Sequence, residues 1–137
     1  MILEWKESFS VSNKDIDEQH KKLFEIGQRI YDSIASMSDY DRYDEIMEIF
    51  SELNEYVKYH FDFEEKLLEE CGYSKLETQK MEHHFFVKKL EREAGKDIDA
   101  YQKESLIRLI NFVADWIVQH ILKEDMAYKD SLLMMKP

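Results

Sequence analysis

Apolar residues recur along this chain at intervals of three and four, with charged residues between them, and the rhythm breaks at only a few places. One stripe runs Ile16, His20, Leu23, Gly27, Ile30, Ile34. A second runs Ile46, Ile49, Leu53, Val57, His60, Glu64, Leu67. A third runs Leu76, Gln79, His83, Phe86, Val87, Leu90, and a fourth Leu106, Ile110, Val113, Ile117, His120. This spacing places each set on one face of a helix. The breaks carry start and stop chemistry. Ser38-Asp39-Tyr40-Asp41 supplies capping side chains, Gly72 is a C-terminal stop, Ser74-x-x-Glu77 is a capping box, Gly95 closes the third stripe, and Asp99-x-x-Gln102 is a weaker box before the fourth. Helices are therefore predicted at 17–37, 41–71, 75–94 and 99–131, after a short N-terminal arm over 1–15. Connections this short force sequential helices to lie antiparallel. The expected fold is all-α, an up-down-up-down four-helix bundle with a short N-terminal arm, forming a single domain over 1–137.

Composition narrows the partners. Nineteen basic residues against thirty acidic ones give a net charge of −11, which repels phosphate backbones and anionic lipid. Neither nucleic acid nor a membrane surface is expected as a partner, and no obligate protein partner is evident. No stretch is read as the ~18–20 consecutive apolar residues of a membrane span. The opening Met1-Ile2-Leu3-Glu4-Trp5-Lys6-Glu7 lacks a basic region followed by an apolar run, so no secretory signal is expected. The single cysteine, Cys71, reads as a small packed hydrophobe. A cytoplasmic location is the expectation.

The stripes themselves carry the chemistry. Four of the five histidines, His20, His60, His83 and His120, fall on the inward faces of four different helices. Burying imidazole and carboxylate together is costly unless something binds them. His60 and Glu64 are four apart and point the same way. One such pair alone is explained by an ion pair or a hydrogen-bonded core histidine. Four inward histidines would each need their own buried partner, and a metal satisfies them together. His84 is the contrast, about 100° round the helix from His83 on a polar face with Lys80, Lys88 and Glu91. On the fourth helix two carboxylates compete. Glu124, four residues after His120, fits α-helical spacing, whereas Asp125, at five, needs a widened turn such as a π-bulge. Mixed imidazole and carboxylate donors suit iron, manganese or zinc, and no thiolate cluster, phosphate loop or Ser/His/Asp set competes.

Several spaced segments also match a known family. They are Trp5 with Ile16-Asp17-Glu18-Gln19-His20; Tyr59-His60-Phe61-Asp62-Phe63-Glu64-Glu65-Lys66-Leu67; Gly72-Tyr73 through Glu82-His83; and Asp115-Trp116-Ile117-Val118-Gln119-His120 with Asp125 and Tyr128. Over essentially its whole length the chain resembles the hemerythrin family, and within it the bacterial single-domain members. The resemblance implies two iron ions joined by an oxo or hydroxo bridge and two carboxylates, with dioxygen binding reversibly at one iron. By position, His20 and His60 would hold the oxygen-binding iron, His83 and His120 the other, and Glu64 and Asp125 would bridge. The family pattern thus selects Asp125 over Glu124. Its remaining ligand, normally histidine, falls on Gln79. There the amide could bind iron, hydrogen-bond to a bound water or swing away, or be a tolerated change in an ordinary site.

Around the expected oxygen side stand Leu23, Phe24, Phe61, Phe63, Trp116, Ile117 and Ile121, all apolar and without a spare inward acid or base. A dry pocket slows proton arrival, which favours reversible binding over oxygen activation. The first functional expectation is an oxygen-binding protein for transport, storage or sensing. The rivals are a diiron peroxide or NO reductase, which could also take small anions at an open position beside Gln79, and a metal-buffering bundle.

Overall fold

The computed structural model describes residues 3–36, 43–94 and 102–134. The predicted cap at Ser38-Asp39-Tyr40-Asp41, the stop at Gly95 and the box at Asp99-x-x-Gln102 lie outside them. Four long helices carry the four stripes: α1 (Lys14–Ala35), α2 (Tyr43–Glu70), α3 (Leu76–Ala94) and α4 (Gln102–His120). No strand occurs among the described residues. Cross-helix contacts fix the directions. Gln19 meets His60 while Arg29 meets Glu52; Glu65 meets His83 while Asn54 meets Glu91; Phe86 packs on Phe112 while His83 meets His120. In each pair one number rises as the other falls, so sequential helices are antiparallel. The fourth element departs from the predicted unbroken helix at 99–131. After His120 the chain widens into a π-turn (Ile121–Asp125), tightens into a 3₁₀ turn (Met126–Tyr128) and ends in the short α5 (Lys129–Leu133).

Local chemistry sets the helix ends. The Asn13 side chain accepts the Ile16 N–H at 3.1 Å and caps α1. At the other end of α2, Tyr73 N–H bonds to the Leu68 carbonyl and Gly72 N–H to that of Glu69, with Gly72 at φ 67°. This is a Schellman stop, and the left-handed backbone is why glycine sits there. The box expected at Ser74 is not formed. The helix opens at Leu76, no side-chain cap from Ser74 is present among the described residues, and Glu77 faces Lys80 at 3.9 Å.

The stripes make the core. Leu23, Ile30, Ile34, Ile46, Leu53, Val57, Phe86, Leu90, Leu106, Ile110 and Val113 are all buried in one cluster. Each such side chain contributes roughly 1.5–3 kcal/mol. An exposed pair such as Arg29–Glu52 contributes at most about 1 kcal/mol, so the bundle is held by its apolar stripes. A second, smaller cluster of Val11, Ile16, Leu68, Tyr128 and Leu132 closes one end. Between the two lies a layer of buried polar side chains: Gln19, His20, His60, Glu64, Gln79, His83, His120 and Asp125. By length and composition alone the helical run Lys103–Leu133 could cross a membrane, contrary to the expectation that no stretch approaches one. Its apolar side chains Leu106, Ile110, Val113 and Ile117 are buried in the bundle core instead.

The N-terminal arm is tied down at two points. Ser12, at φ 60°, turns the chain so that Ser10 Oγ donates to Asp17 Oδ2 at 2.5 Å and Val11 N–H to Oδ1 at 3.0 Å. Further out, Leu3 is buried against Gly27, and its N–H donates to Gln28 Oε1 at 2.6 Å. A Cβ on residue 27 would stand 2.5 Å from Leu3 Cδ1. Gly27→Ala is therefore expected to lift the arm and cost about 1 kcal/mol, the low end for overpacking because a flexible side-chain end can yield. Denaturant midpoint and protease cleavage within the arm are the measurements; an unchanged midpoint with an uncut arm would refute it.

Candidate metal centre

The buried polar layer draws one or two side chains from every long helix. His20 comes from α1, His60 and Glu64 from α2, Gln79 and His83 from α3, and His120 is the last residue of α4. Asp125 arrives by the π-turn. An α-helical step of four would have directed Glu124 inward; the widened turn brings the fifth residue round, leaving Asp125 buried and Glu124 half-buried.

Glu64 is the hub. Its Oε2 lies 3.5 Å from His60 Nε2 and 3.8 Å from His20 Nε2, and its Oε1 lies 2.9 Å from His83 Nε2. Asp125 repeats the pattern, with Oδ2 3.2 Å from His20 Nε2 and Oδ1 3.1 Å from His120 Nε2. The potential ligand atoms form two groups, Glu64–His83–His120–Asp125 and His20–His60–Glu64, and within each group they lie within 4.8 Å of one another. Gln79 touches two members of the first group, with Oε1 2.9 Å from His120 Nε2 while its amide N–H donates to Asp125 Oδ1 at 3.1 Å.

Outer contacts aim the imidazoles. Gln19 Oε1 stands 2.7 Å from His60 Nδ1, and Glu65 Oε2 stands 2.8 Å from His83 Nδ1. An oxygen acceptor there holds the proton on Nδ1 and turns the Nε2 lone pair of a neutral ring toward the centre, as metal-binding histidines require. The Tyr128 hydroxyl donates to Glu64 Oε2 at 2.7 Å. Phe61 stacks on His83 at 3.7 Å and Trp116 on His120 at 4.4 Å, fixing both ring planes.

Several buried atoms make no well-aligned hydrogen bond among the described residues: both nitrogens of His20, Glu64 Oε1, His120 Nδ1 and Asp125 Oδ2, although His20 Nε2 lies 3.2 Å from Asp125 Oδ2, His83 Nε2 lies 2.9 Å from Glu64 Oε1 and the outer His120 Nδ1 lies 3.4 Å from Glu82 Oε1. His83 Nε2 and His120 Nε2 face each other at 3.1 Å. Orphaned buried acceptors and opposed ring nitrogens are expensive when nothing cationic lies between them. This donor set fits a pair of metal ions.

Protonation tells the same story. Burial opposes charge on His20, but the carboxylates of Asp125 and Glu64 outweigh it and raise its pKa to about 9. His83 rises to about 9 for the same balance, burial against Glu64 and Glu65, and His120 also rises, burial being overcome by Asp125. His60 goes the other way, to about 4, because burial dominates. Glu64 is held well below the carboxylate range despite its burial, by His60, His20 and His83. Two buried carboxylates therefore demand positive charge, and without a metal protons on His20 and His83 supply it.

A family model described as the hemerythrin HHE cation binding domain matches residues 11–132. The chain belongs to the hemerythrin family. Among curated hemerythrins it is 42% identical to the bacteriohemerythrin of Clostridium acetobutylicum, over 92% of this chain and 98% of that one. It is 29% identical to the bacteriohemerythrin of Stenotrophomonas maltophilia, over 96% and 82%. A crystal structure of a hemerythrin mutant superimposes with TM-score 0.75 at 27% identity, covering 94% of this chain and 95% of that one.

Against this hemerythrin frame, His20, His60, Glu64, Gln79, His83, His120 and Asp125 all come together, whereas His84 is exposed. Of the apolar residues expected beside them, Leu23, Phe61, Trp116, Ile117 and Ile121 line a cavity of about 10 Å³ with His20, His60, His120 and Asp125. Phe24 and Phe63 do not. Phe24 packs on Trp5 and Phe9, and Phe63 packs against the end cluster around Tyr128. Val57 lines the cavity and was not anticipated. Sequence reasoning also missed Gln19, Glu65 and the Tyr128 hydroxyl as orienting partners. The first two stand next to a ligand candidate in sequence, which was the available signal.

Proposed function

We propose that this hemerythrin-family protein is a non-haem diiron protein that binds dioxygen reversibly, for transport, storage or sensing. His20 and His60 would hold one iron, His83 and His120 the other, with Glu64 and Asp125 shared, an oxo or hydroxo bridge completing the pair, and Gln79 beside the second. The carrying observation is that two donor groups share the buried Glu64 and open on one small apolar cavity. When bound, the iron pair supplies the electrons that dioxygen binding draws on. The chain supplies dryness. Leu23, Val57, Phe61, Trp116, Ile117 and Ile121 leave room for about one water at most. Tyr128, the hydroxyl on Glu64, has its pKa raised well above the usual range by burial and by Asp125 and Glu64, so it keeps its proton. Water and protons are thereby kept from a bound oxidant. The test is an optical spectrum of the ferrous-loaded protein, first without oxygen and then in air. A visible band that forms in air and vanishes under vacuum is expected; a band that never reverses, or steady consumption of peroxide, would overturn the carrier reading.

The second reading, peroxide or NO reduction, rests on Gln79. An amide is a weaker donor than imidazole, and Gln79 already donates to Asp125. Gln79→His is expected to tighten metal retention about tenfold or more, lengthen the lifetime of the oxygenated form and weaken azide binding. Unchanged metal retention, autoxidation and azide affinity would make Gln79 a silent replacement and remove the support for a reductase.

A further inference from the structure

On the outer face of α3 lies a feature the metal centre does not use. Lys80, His84, Lys88 and Arg92 recur every fourth residue, a stripe spanning roughly 18 Å along the helix. With Lys58 of α2 and Lys89 they border a groove of about 900 Å³. Met81 and Phe85 stand beside the stripe at 71% and 53% exposure. Lys89 holds one edge of the groove, its ammonium 4.5 Å from the Phe112 ring centroid and 5.8 Å from that of Phe85. The floor includes Phe61 and His83, and Glu65, the hydrogen-bond partner of His83 Nδ1, is at the wall. The groove therefore reaches a candidate metal ligand directly from the surface.

We propose that this cationic stripe, with Met81 and Phe85 beside it, is the docking face for an acidic protein electron carrier that serves the metal centre. The inference rests on the diiron reading above. Charge complementarity selects the occupant. The chain carries −11 overall and repels an acidic protein from most directions, whereas this groove is lined by five Lys and Arg against Asp62 and Glu65. Lys58 is held by Glu91 at 2.7 Å, and Lys80 and Arg92 lie loosely against Glu77 and Glu93 at 3.9 and 3.8 Å, so Lys88 and Lys89 are the groove cations without an ion pair among the described residues. Such a field steers encounter and orientation more than it adds affinity. Exposed apolar residues inside a charged border suit a small, transient redox contact, below about 1,200 Å². A second copy docked symmetrically would set this stripe against itself, cation against cation, and is opposed by that repulsion. One electron passes per encounter: the carrier iron goes from ferrous to ferric and one iron of the centre from ferric to ferrous, with no proton or atom exchanged.

The probe is reduced rubredoxin, an acidic one-iron carrier, mixed with the ferric iron-loaded protein. The wild-type reduction rate is expected to fall steeply as salt rises. Lys88→Glu combined with Arg92→Glu is expected to slow it about tenfold or more, and Met81→Ser with Phe85→Ser to slow it without changing the salt slope. Reduction by dithionite and iron content should not change, and Lys21→Glu with Lys22→Glu on α1 should leave the rate unaltered. Calorimetric titration of oxidised rubredoxin should show salt-sensitive association that the Lys88/Arg92 double reversal abolishes. Equal rates in that double variant, with normal dithionite reduction, overturn the docking face alone. Salt-sensitive dimers of the chain, broken by the same reversals, assign the face to a second copy and overturn it too. Failure of dithionite to reduce the protein sinks the diiron reading and this proposal with it.

Discussion

Glu64→Ala is expected to lower metal content from two ions per chain towards one or none, and to destabilise the metal-free fold by several kcal/mol. Glu64 is the only side chain present in both donor groups. Its loss leaves His20 and His60 with no carboxylate of their own group, and removes the oxygen 2.9 Å from His83. It also strands the Tyr128 hydroxyl, which donates to Glu64 in the interior. Removing one partner from a buried charged network costs about 3–5 kcal/mol, because the remaining charges stay buried and uncompensated. Glu65→Ala is the matched control. Glu65 touches only the outer nitrogen of His83 and is partly exposed, so its loss should weaken metal binding about 10–100-fold without emptying the site at saturating metal. Metal analysis after dialysis and denaturant unfolding under chelator measure both effects. Two irons retained in Glu64→Ala would remove the bridging assignment.

Much of this was legible in the chain because the period of a helix is rigid. A residue four along from another lies on the same face whatever the surroundings, so His60 and Glu64 had to point together, and the apolar stripes had to turn inward. The fourth helix shows where that rule stops. Between His120 and Asp125 the backbone abandons the α-helical step, so spacing alone prefers Glu124, the wrong carboxylate; the family resemblance selected Asp125, and the π-turn supplies the geometry. Phe24 and Phe63 show a second limit. Each lies close in sequence to a ligand candidate, yet Phe24 is drawn to Trp5 and Phe9 of the arm and Phe63 to the end cluster. Those partners are set by how the arm and the C-terminal turns fold back, which local periodicity does not encode. Gln79 shows a third. Its place on the inward stripe was readable, but its amide is shared between His120 and Asp125, a choice made by α3, the end of α4 and the π-turn together.

The metal-free protein is expected to be most stable near pH 6.5 and to weaken on both sides. On the basic side the cause is His20 and His83. Their folded pKa values, about 9, lie above the unfolded value of 6.5, so the stability they contribute is complete below 6.5 and is lost as pH rises towards 9. On the acid side the cause is His60. Its folded value of about 4 lies below 6.5, so the unfolded chain takes up a proton that the folded chain refuses, and stability falls from 6.5 down to 4. Each of these shifts is worth on the order of 3 kcal/mol. Glu64 and Asp125, both held low in the fold, add to the acid loss as they protonate. Metal should reverse the basic limb only. Cation binding needs the unprotonated imidazoles, so affinity should rise from pH 6.5 to 9, and binding at neutral pH should release the protons held on His20 and His83. Thermal melts with and without chelator across this range, and calorimetric titrations of metal in buffers of different ionisation enthalpy, read the two effects separately. A metal-free melting temperature that stays flat from pH 6.5 to 9, with no proton released on binding, would mean that those two imidazoles are not the charges that metal replaces.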